Sequence, residues 1–492
     1  MKLQKKIFLI VVSAAMAVCV ATVHAQDQTA DPRSVNPISP LSSANSGGNN
    51  EFGKTPVPAA RGLNSAYDSQ TYDPAQVEPD TSTLSGAEVF SVGSLQHSRN
   101  VFDPSITISS LGESGGLGTL APAQKGLRSN SMLGGALDFN RIWSRYHLAA
   151  SYNGGENIYS GYLPNSSFHN GSVAQDVEWQ RWHLRLRDDF TAAPGATFTG
   201  GGMGGPGLLG EFSSTLGGSL NTINQKFLPT ESIQTGPAKR YRNTALGQAE
   251  YAFSRRSAVT FSGSYGLLHF TDAGYVSSHM LNAQVGYDYL MDPKNSIAVL
   301  ASYGKIDYTG TMTSTVDYSA ELAYGRKITG RLAFQAAAGP EQIRATGSGN
   351  GNFRLLKVGV HSALKYELRR SGFSLAYARG VTGGSGAFFG ATADTFTGSL
   401  HHQFTRFWSG SAHSGYAFNR SLVPAGFATS SFHDWFVGAN VDRQLGRHAQ
   451  VGFSYAVQEQ SSPAVCPVAS CGGTGFQQSF GMTVNWHLLP VE

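Results

Sequence analysis

The 492-residue chain carries 36 Lys+Arg against 32 Asp+Glu, and three of those cations (Lys2, Lys5, Lys6) lie in an acid-free leader, so the +4 total less these three leaves +1. That balance excludes a nucleic-acid-binding protein and a polybasic membrane patch. Only 14% of residues are charged while 59 are Gly and 11% aromatic, against roughly 25% charge in an ordinary soluble domain.

The N-terminus reads as a secretory signal peptide over 1–25. Lys2, Lys5 and Lys6 form its basic region, Ile7 to Val20 is apolar apart from Ser13, and Val23-His24-Ala25 fits the small-x-small cleavage pattern. The apolar run is short for a spanning helix, which needs about 20 residues. Cys19 raises a lipoprotein reading, but Val18 before it fits that poorly. No second long apolar run follows. Residues 26–100 are rich in Ser, Asn, Pro, Gly, Asp and Thr, so they lack the apolar surface to offset their ordering entropy. They read as a disordered periplasmic lead. A plug or docking segment for an energy-coupling protein is the sharper alternative, and it would need a core that this stretch does not display.

From about Ser105 the pattern becomes period-two alternation, the signature of strands. The last segment is the clearest: Phe480, Met482, Val484, Trp486 and Leu488 on one face, Ser479, Gly481, Thr483, Asn485 and His487 on the other. Leu281, Val285, Tyr287 and Tyr289 likewise oppose Asn282, Gln284 and Asp288. Each apolar face runs for about ten residues, enough to cross a membrane at a strong tilt. Soluble strands are usually nearer five or six. Aromatics gather toward strand ends, as expected of girdles at two membrane interfaces.

Strands are predicted in chain order at 103–111, 130–142, 146–158, 173–181, 182–191, 241–253, 258–270, 277–290, 296–308, 313–327, 331–344, 352–368, 372–383, 392–406, 409–420, 431–444, 448–460 and 475–488. Very short polar turns such as Ser254–Ser257, Asp292–Asn295, Thr329-Gly330 and Gly446–His448 alternate with longer Gly/Ser-rich loops. That asymmetry belongs to membrane barrels. The predicted fold is all-β over 101–492: a transmembrane antiparallel up-and-down barrel of about 18 strands, with 16 as the alternative. A bore of this strand number leaves an aqueous channel.

The predicted lumen is of mixed sign. His183, Arg185, Arg187 and Asp189 share one face, Asp176, Glu178 and Gln180 share another, and Arg242 and Glu250 extend the set. One reading is a wall of ion pairs that keeps its own charges satisfied. The other is an arginine ladder facing acids, which orients solutes in a constriction. The longest connection, Ala192 to Arg240, opens with Gly200–Gly207 and contains Gly210-Glu211-Phe212. Connections of this length are functional or disordered.

Here the chain resembles bacterial general and substrate-specific porins, whose long third loop folds into the bore and whose third loops in some cases carry a similar Glu-Phe-Gly stretch. The resemblance covers about 105–488 by architecture. It implies passive diffusion of small hydrophilic solutes across the outer membrane of a Gram-negative bacterium, with Arg185, Arg187, Arg242, Asp176, Glu178 and Glu211 tuning selectivity. The implied partners are outer-membrane lipid, the solutes and the barrel-assembly machinery, whose signal would fall on Trp486 or Leu488. A homo-oligomer is compatible. Neither a cofactor nor a metal is expected.

Cys466 and Cys471, in a Pro/Ser/Gly-rich stretch, suit a local disulfide in an oxidising compartment. Gly383–Gly386 lies between strands and reads as a surface turn rather than a phosphate cradle. Three other functions have distinct requirements. A hydrolase would build on Ser411, His413 and His401, an energised transporter would need about 22 strands and a plug, and a structural or adhesive surface protein would have a lumen closed by side chains.

Overall fold

The computed structural model describes residues 83–87, 101–115, 127–160, 165–193, 225–227, 233, 239–272, 274–347, 351–386, 389–422, 431–462 and 475–488. The signal peptide, Glu211 and the Cys466/Cys471 pair lie outside them.

Eighteen strands form one sheet. They are β1 Val101–Gly115, β2 Arg128–Trp143, β3 Tyr146–Tyr159, β4 Ser166–Glu178, β5 Trp182–Ala193 and β6 Arg240–Ala252. There follow β7 Ser257–Phe270, β8 Ser278–Asp292, β9 Asn295–Tyr308, β10 Ser314–Lys327, β11 Leu332–Gly347 and β12 Gly351–Glu367. The last six are β13 Ser371–Thr382, β14 Ala391–Gln403, β15 Trp408–Ser421, β16 Ser431–Leu445, β17 Ala449–Ser461 and β18 Gly475–His487. Every strand pairs antiparallel with its chain neighbours, and β1 also pairs with β18, from Ser105↔His487 to Gly115↔Gln477. The sheet is therefore a closed ring with no free edge. Closure matters in hydrocarbon, where each unsatisfied backbone group costs several kcal/mol. One seam is short. β12 meets β13 only from Val360↔Arg379 to Glu367↔Gly372, while β11 and β12 pair along their whole length.

Alternation decides which way each side chain points. In β1, Ile106 (47% exposed) and Ile108 (58%) face out, while Thr107 (1%) and Ser109 (3%) face in. The same inversion holds in β10, where Tyr318 and Leu322 are exposed and Ser319 and Glu321 buried. Greasy residues thus lie outside and polar residues inside, the reverse of a soluble protein and the pattern of a membrane-spanning barrel.

Two aromatic belts bound the apolar band. At the end with the short turns, Trp182 packs on Tyr251 with ring centroids 4.7 Å apart, and Tyr251 meets Phe253 edge-on at 4.8 Å. At the loop end Tyr152 Oη lies 2.8 Å from His169 Nδ1, and Tyr416 Oη lies 2.8 Å from His433 Nδ1.

The turns are stabilised by one repeated device. Asp292 Oδ1 accepts the backbone N–H of Lys294 (2.7 Å) and Asn295 (2.9 Å). Thr329 Oγ1 does the same for Arg331 and Leu332, Thr405 Oγ1 for Phe407 and Trp408, and Ser254 Oγ for Arg256 and Ser257. Short Asp, Ser and Thr side chains satisfy turn amides that the ladder leaves open.

Candidate lumenal site

The first charged wall is built by β3 to β6. Register places Asp176 opposite Arg185, and Glu178 opposite His183, which in turn faces Glu250 on β6. Arg185 Nε donates to Asp176 Oδ1 at 2.5 Å, and His147 Nδ1 lies 3.5 Å from Asp176 Oδ2. Arg187 holds Asp189 in a fork, Nε to Oδ2 at 2.7 Å and Nη2 to Oδ1 at 2.9 Å. Asp176, Arg187 and Asp189 are all buried. Here charges are satisfied by the wall's own strands, one pair across strands and one along a strand. Arg242 also faces inward but sits nearer the loop end, level with Thr191. Five of the six residues expected to tune selectivity thus share this wall, and Glu211 lies outside the described residues.

The neighbouring stretch of wall, from β6 onward, is completed by chain from elsewhere. On β8, Asp288 accepts the backbone N–H of Ser85 at 3.1 Å and the Ser85 hydroxyl. Gln284 Nε2 donates to Ser85 O at 2.9 Å, and Ala87 N–H donates to Gln248 Oε1 at 2.8 Å. The wall is shaped to this visitor. A Cβ on Gly286 would overlap Ser85, and one on Gly325 would come 2.7 Å from Leu84 Cδ2. Ser85 and Ala87 are wholly buried. Within the polar lead, residues 83–87 are therefore an exception to the loose attachment read from composition. They need no core of their own because the barrel supplies it.

A second visitor comes from the long third loop. Its 3-10 turn Gln225–Phe227 lies in the lumen. There Lys226 Nζ donates to Ser319 Oγ at 3.0 Å and pairs with Glu321, while Phe227 packs with Ala87 and Leu246. Glu321 also meets His361 Nδ1 at 3.2 Å. Asp317 and Glu341 line a cavity beside Lys226 and Phe227, together with Asn282 and Gln284. Ile233, from the same loop, packs against Ala391 and Phe432. At the loop end Val276 N–H donates to Gly386 O at 2.9 Å, so Gly383–Gly386 turns toward the bore. Gly386 has φ +80° and its Cα faces the Phe270 ring, a conformation and a closeness that a side chain would oppose.

Buried hydrogen-bonding atoms without a protein partner concentrate on β1 to β4: Ser109 Oγ, Ser151 Oγ, Ser172 Oγ and both amide atoms of Asn130 and Asn153. Composition gives no hint of this row, since Asn and Ser on an inward face look alike whether paired or not. The Ser411–His413 pair does not form a nucleophile–base couple. Ser411 Oγ accepts from Asn440 Nδ2 at 2.8 Å, and His413 Nε2 has no hydrogen-bond partner.

No family model matches the chain, and no curated protein does either. Among solved structures it is similar, at low identity, to proteins of Pseudomonas aeruginosa and Acinetobacter baumannii. OpdQ of Pseudomonas aeruginosa is 8% identical at a TM-score of 0.39, with 80% of this chain and 99% of that one covered. OccK2 (OpdF) of the same organism is 7% identical at 0.40, covering 79% and 98%. OccAB4 of Acinetobacter baumannii is 8% identical at 0.41, covering 80% and 99%. By its own strands and surfaces, the chain has the architecture of a porin-like transmembrane β-barrel.

Proposed function

We propose that the protein is a passive channel for small hydrophilic solutes across the outer membrane, narrowed from within by residues 83–87 and by Gln225–Phe227 and Ile233 of the third loop. The observation that carries this reading is the inverted barrel itself: 18 strands closed into a ring with polar and charged side chains inside. Side chains alone do not fill a ring of that size, whereas they fill one of about eight strands. The ion pairs of β3 to β6 set a fixed transverse field across the lumen, with Asp176, Glu178, Arg185, Arg187 and Arg242 as its tuning residues.

A second reading is a non-transporting structural or adhesive surface barrel. The specific observation favouring it is the number of lumen contacts made by inserted chain. Swelling of proteoliposomes in sugars of increasing size separates the two. A channel admits small sugars and excludes large ones at a definite size. Swelling no faster than that of empty liposomes, from protein proven folded, overturns the channel reading.

A further inference from the structure

The chain is close to neutral overall, yet the connections at its turn end carry charge of one sign. Eight short connections join the strands at the turn end, at 144–145, 179–181, 253–256, 293–294, 328–331, 368–370, 404–407 and 446–448. Each holds at least one Arg or Lys: Arg145, Arg181, Arg255 with Arg256, Lys294, Arg331, Arg369 with Arg370, Arg406 and Arg447. None of these connections holds an Asp or Glu. The cations all stand exposed. Three strands end on a carboxylate beside these turns: Asp292 is occupied by turn amides and Asn295, Glu367 pairs with Lys365 at 2.7 Å, and Glu178 stands opposite His183.

Such an arrangement is costly in isolation, because like charges in a ring repel one another. Its height on the barrel is also defined. Three arginines lie over rings of the adjoining aromatic belt: Arg141 over Trp143 at 4.8 Å, Arg406 over Phe407 at 4.5 Å and Arg443 over Trp408 at 5.2 Å. Aromatic belts mark the level of lipid headgroups. Guanidinium groups fixed just beyond that belt stand where headgroup phosphates lie, and Arg is the side chain best matched to phosphate.

We infer that the turn end is a cationic collar that binds the anionic phospholipid headgroups of the leaflet it faces, around the whole circumference of the barrel. The collar recognises negative charge fixed in the plane of the membrane, as basic residues beside a bilayer generally do. The inference is independent of whether the lumen conducts.

The test is lipid retention by the full chain in detergent micelles, read by native mass spectrometry against phosphatidylglycerol and phosphatidylcholine. The collar predicts at least tenfold preference for phosphatidylglycerol, collapsing when salt rises from 0.05 to about 0.5 M as screening shortens the reach of charge. The variant Arg255→Gln/Arg256→Gln/Arg369→Gln/Arg370→Gln is expected to lose at least fivefold of that preference while retaining its pore behaviour. If that variant does not fold, Arg369→Gln/Arg370→Gln alone is expected to lower the preference about twofold. Equal retention of both lipids by the unmodified protein overturns the collar, and so does an unchanged preference in a folded variant. Displacement of phosphatidylglycerol by soluble inorganic polyphosphate at matched charge also overturns it, because the surface would then be a general polyanion site.

Discussion

Two lumen walls carry charge in different ways. On β3 to β6 the partners come from the wall: Arg185 with Asp176, Arg187 with Asp189, His147 beside Asp176. On β8 to β12 they come in part from inserted chain: Ser85 to Asp288 and Lys226 to Glu321. The first wall keeps its field whatever the inserted segments do. The second becomes more acidic when they leave, with Asp288, Asp317, Glu321 and Glu341 all turned inward. A self-paired wall is a permanent feature of the bore, whereas a wall paired to visitors registers their presence.

The largest expected effect breaks the first wall. Asp176→Ala removes the buried carboxylate that accepts from Arg185, and removing one partner of a buried pair costs about 3–5 kcal/mol. Denaturant unfolding in lipid should show a loss of that size; a change within experimental error would mean the pair is solvated and the wall is not self-sufficient.

Next comes the seat of residues 83–87. Gly286→Val places a side chain where Ser85 sits, disrupting hydrogen bonds to a charged group worth about 1.5–3 kcal/mol, or roughly a 10- to 150-fold drop in occupancy. Hydrogen exchange at 83–87 should accelerate accordingly with the barrel's own ladder unaffected. Unchanged protection would show that the glycine is not what admits the segment.

Lys226→Ala sharpens the contrast between the walls. It removes the loop's cation from beside Glu321, Asp317 and Glu341, so the channel should become more cation-selective, seen as a shifted reversal potential across a salt gradient. Arg187→Gln should shift selectivity the same way but less, because it uncovers Asp189, whereas Lys226 stands beside Glu321, Asp317 and Glu341 together. A larger shift for Arg187→Gln would reverse the assignment of the two walls. The smallest effect is expected outside the bore: Tyr152→Phe loses one bond to His169 at the interface, about 1 kcal/mol or less, with conductance unaltered.

Much of the barrel was legible because its signal is local and repeated. Alternation in β8, β10 and β18 assigns each residue to lipid or lumen without any tertiary information, and the parity of a closed up-and-down ring supports the weak first strand. That strand extends from Val101 to Gly115, beyond the predicted 103–111, and β4 starts at Ser166 rather than near 173. In β4 the added outward residues Ser167, His169 and Gly171 are polar or small, so the alternation fades before the pairing does. The inward position of Asp176, Glu178, Arg185, Arg187 and Arg242 was readable for the same reason.

The visitors were not readable. Thr83–Ala87 has no period and no apolar run, and what holds it is a complementary surface, Gly286, Gly325 and Asp288, scattered over β8 and β10. Lys226 stands in a long loop with no feature to separate it from its neighbours. Complementarity between distant segments leaves no trace in either segment alone.

The most direct test of the account is single-channel conductance in a planar bilayer, comparing the intact chain with one whose 194–239 connection is replaced by a short turn. The account predicts small steps from the intact protein and distinctly larger, ohmic steps once the inserted loop is gone. Folded barrels that stay silent in both forms would contradict it.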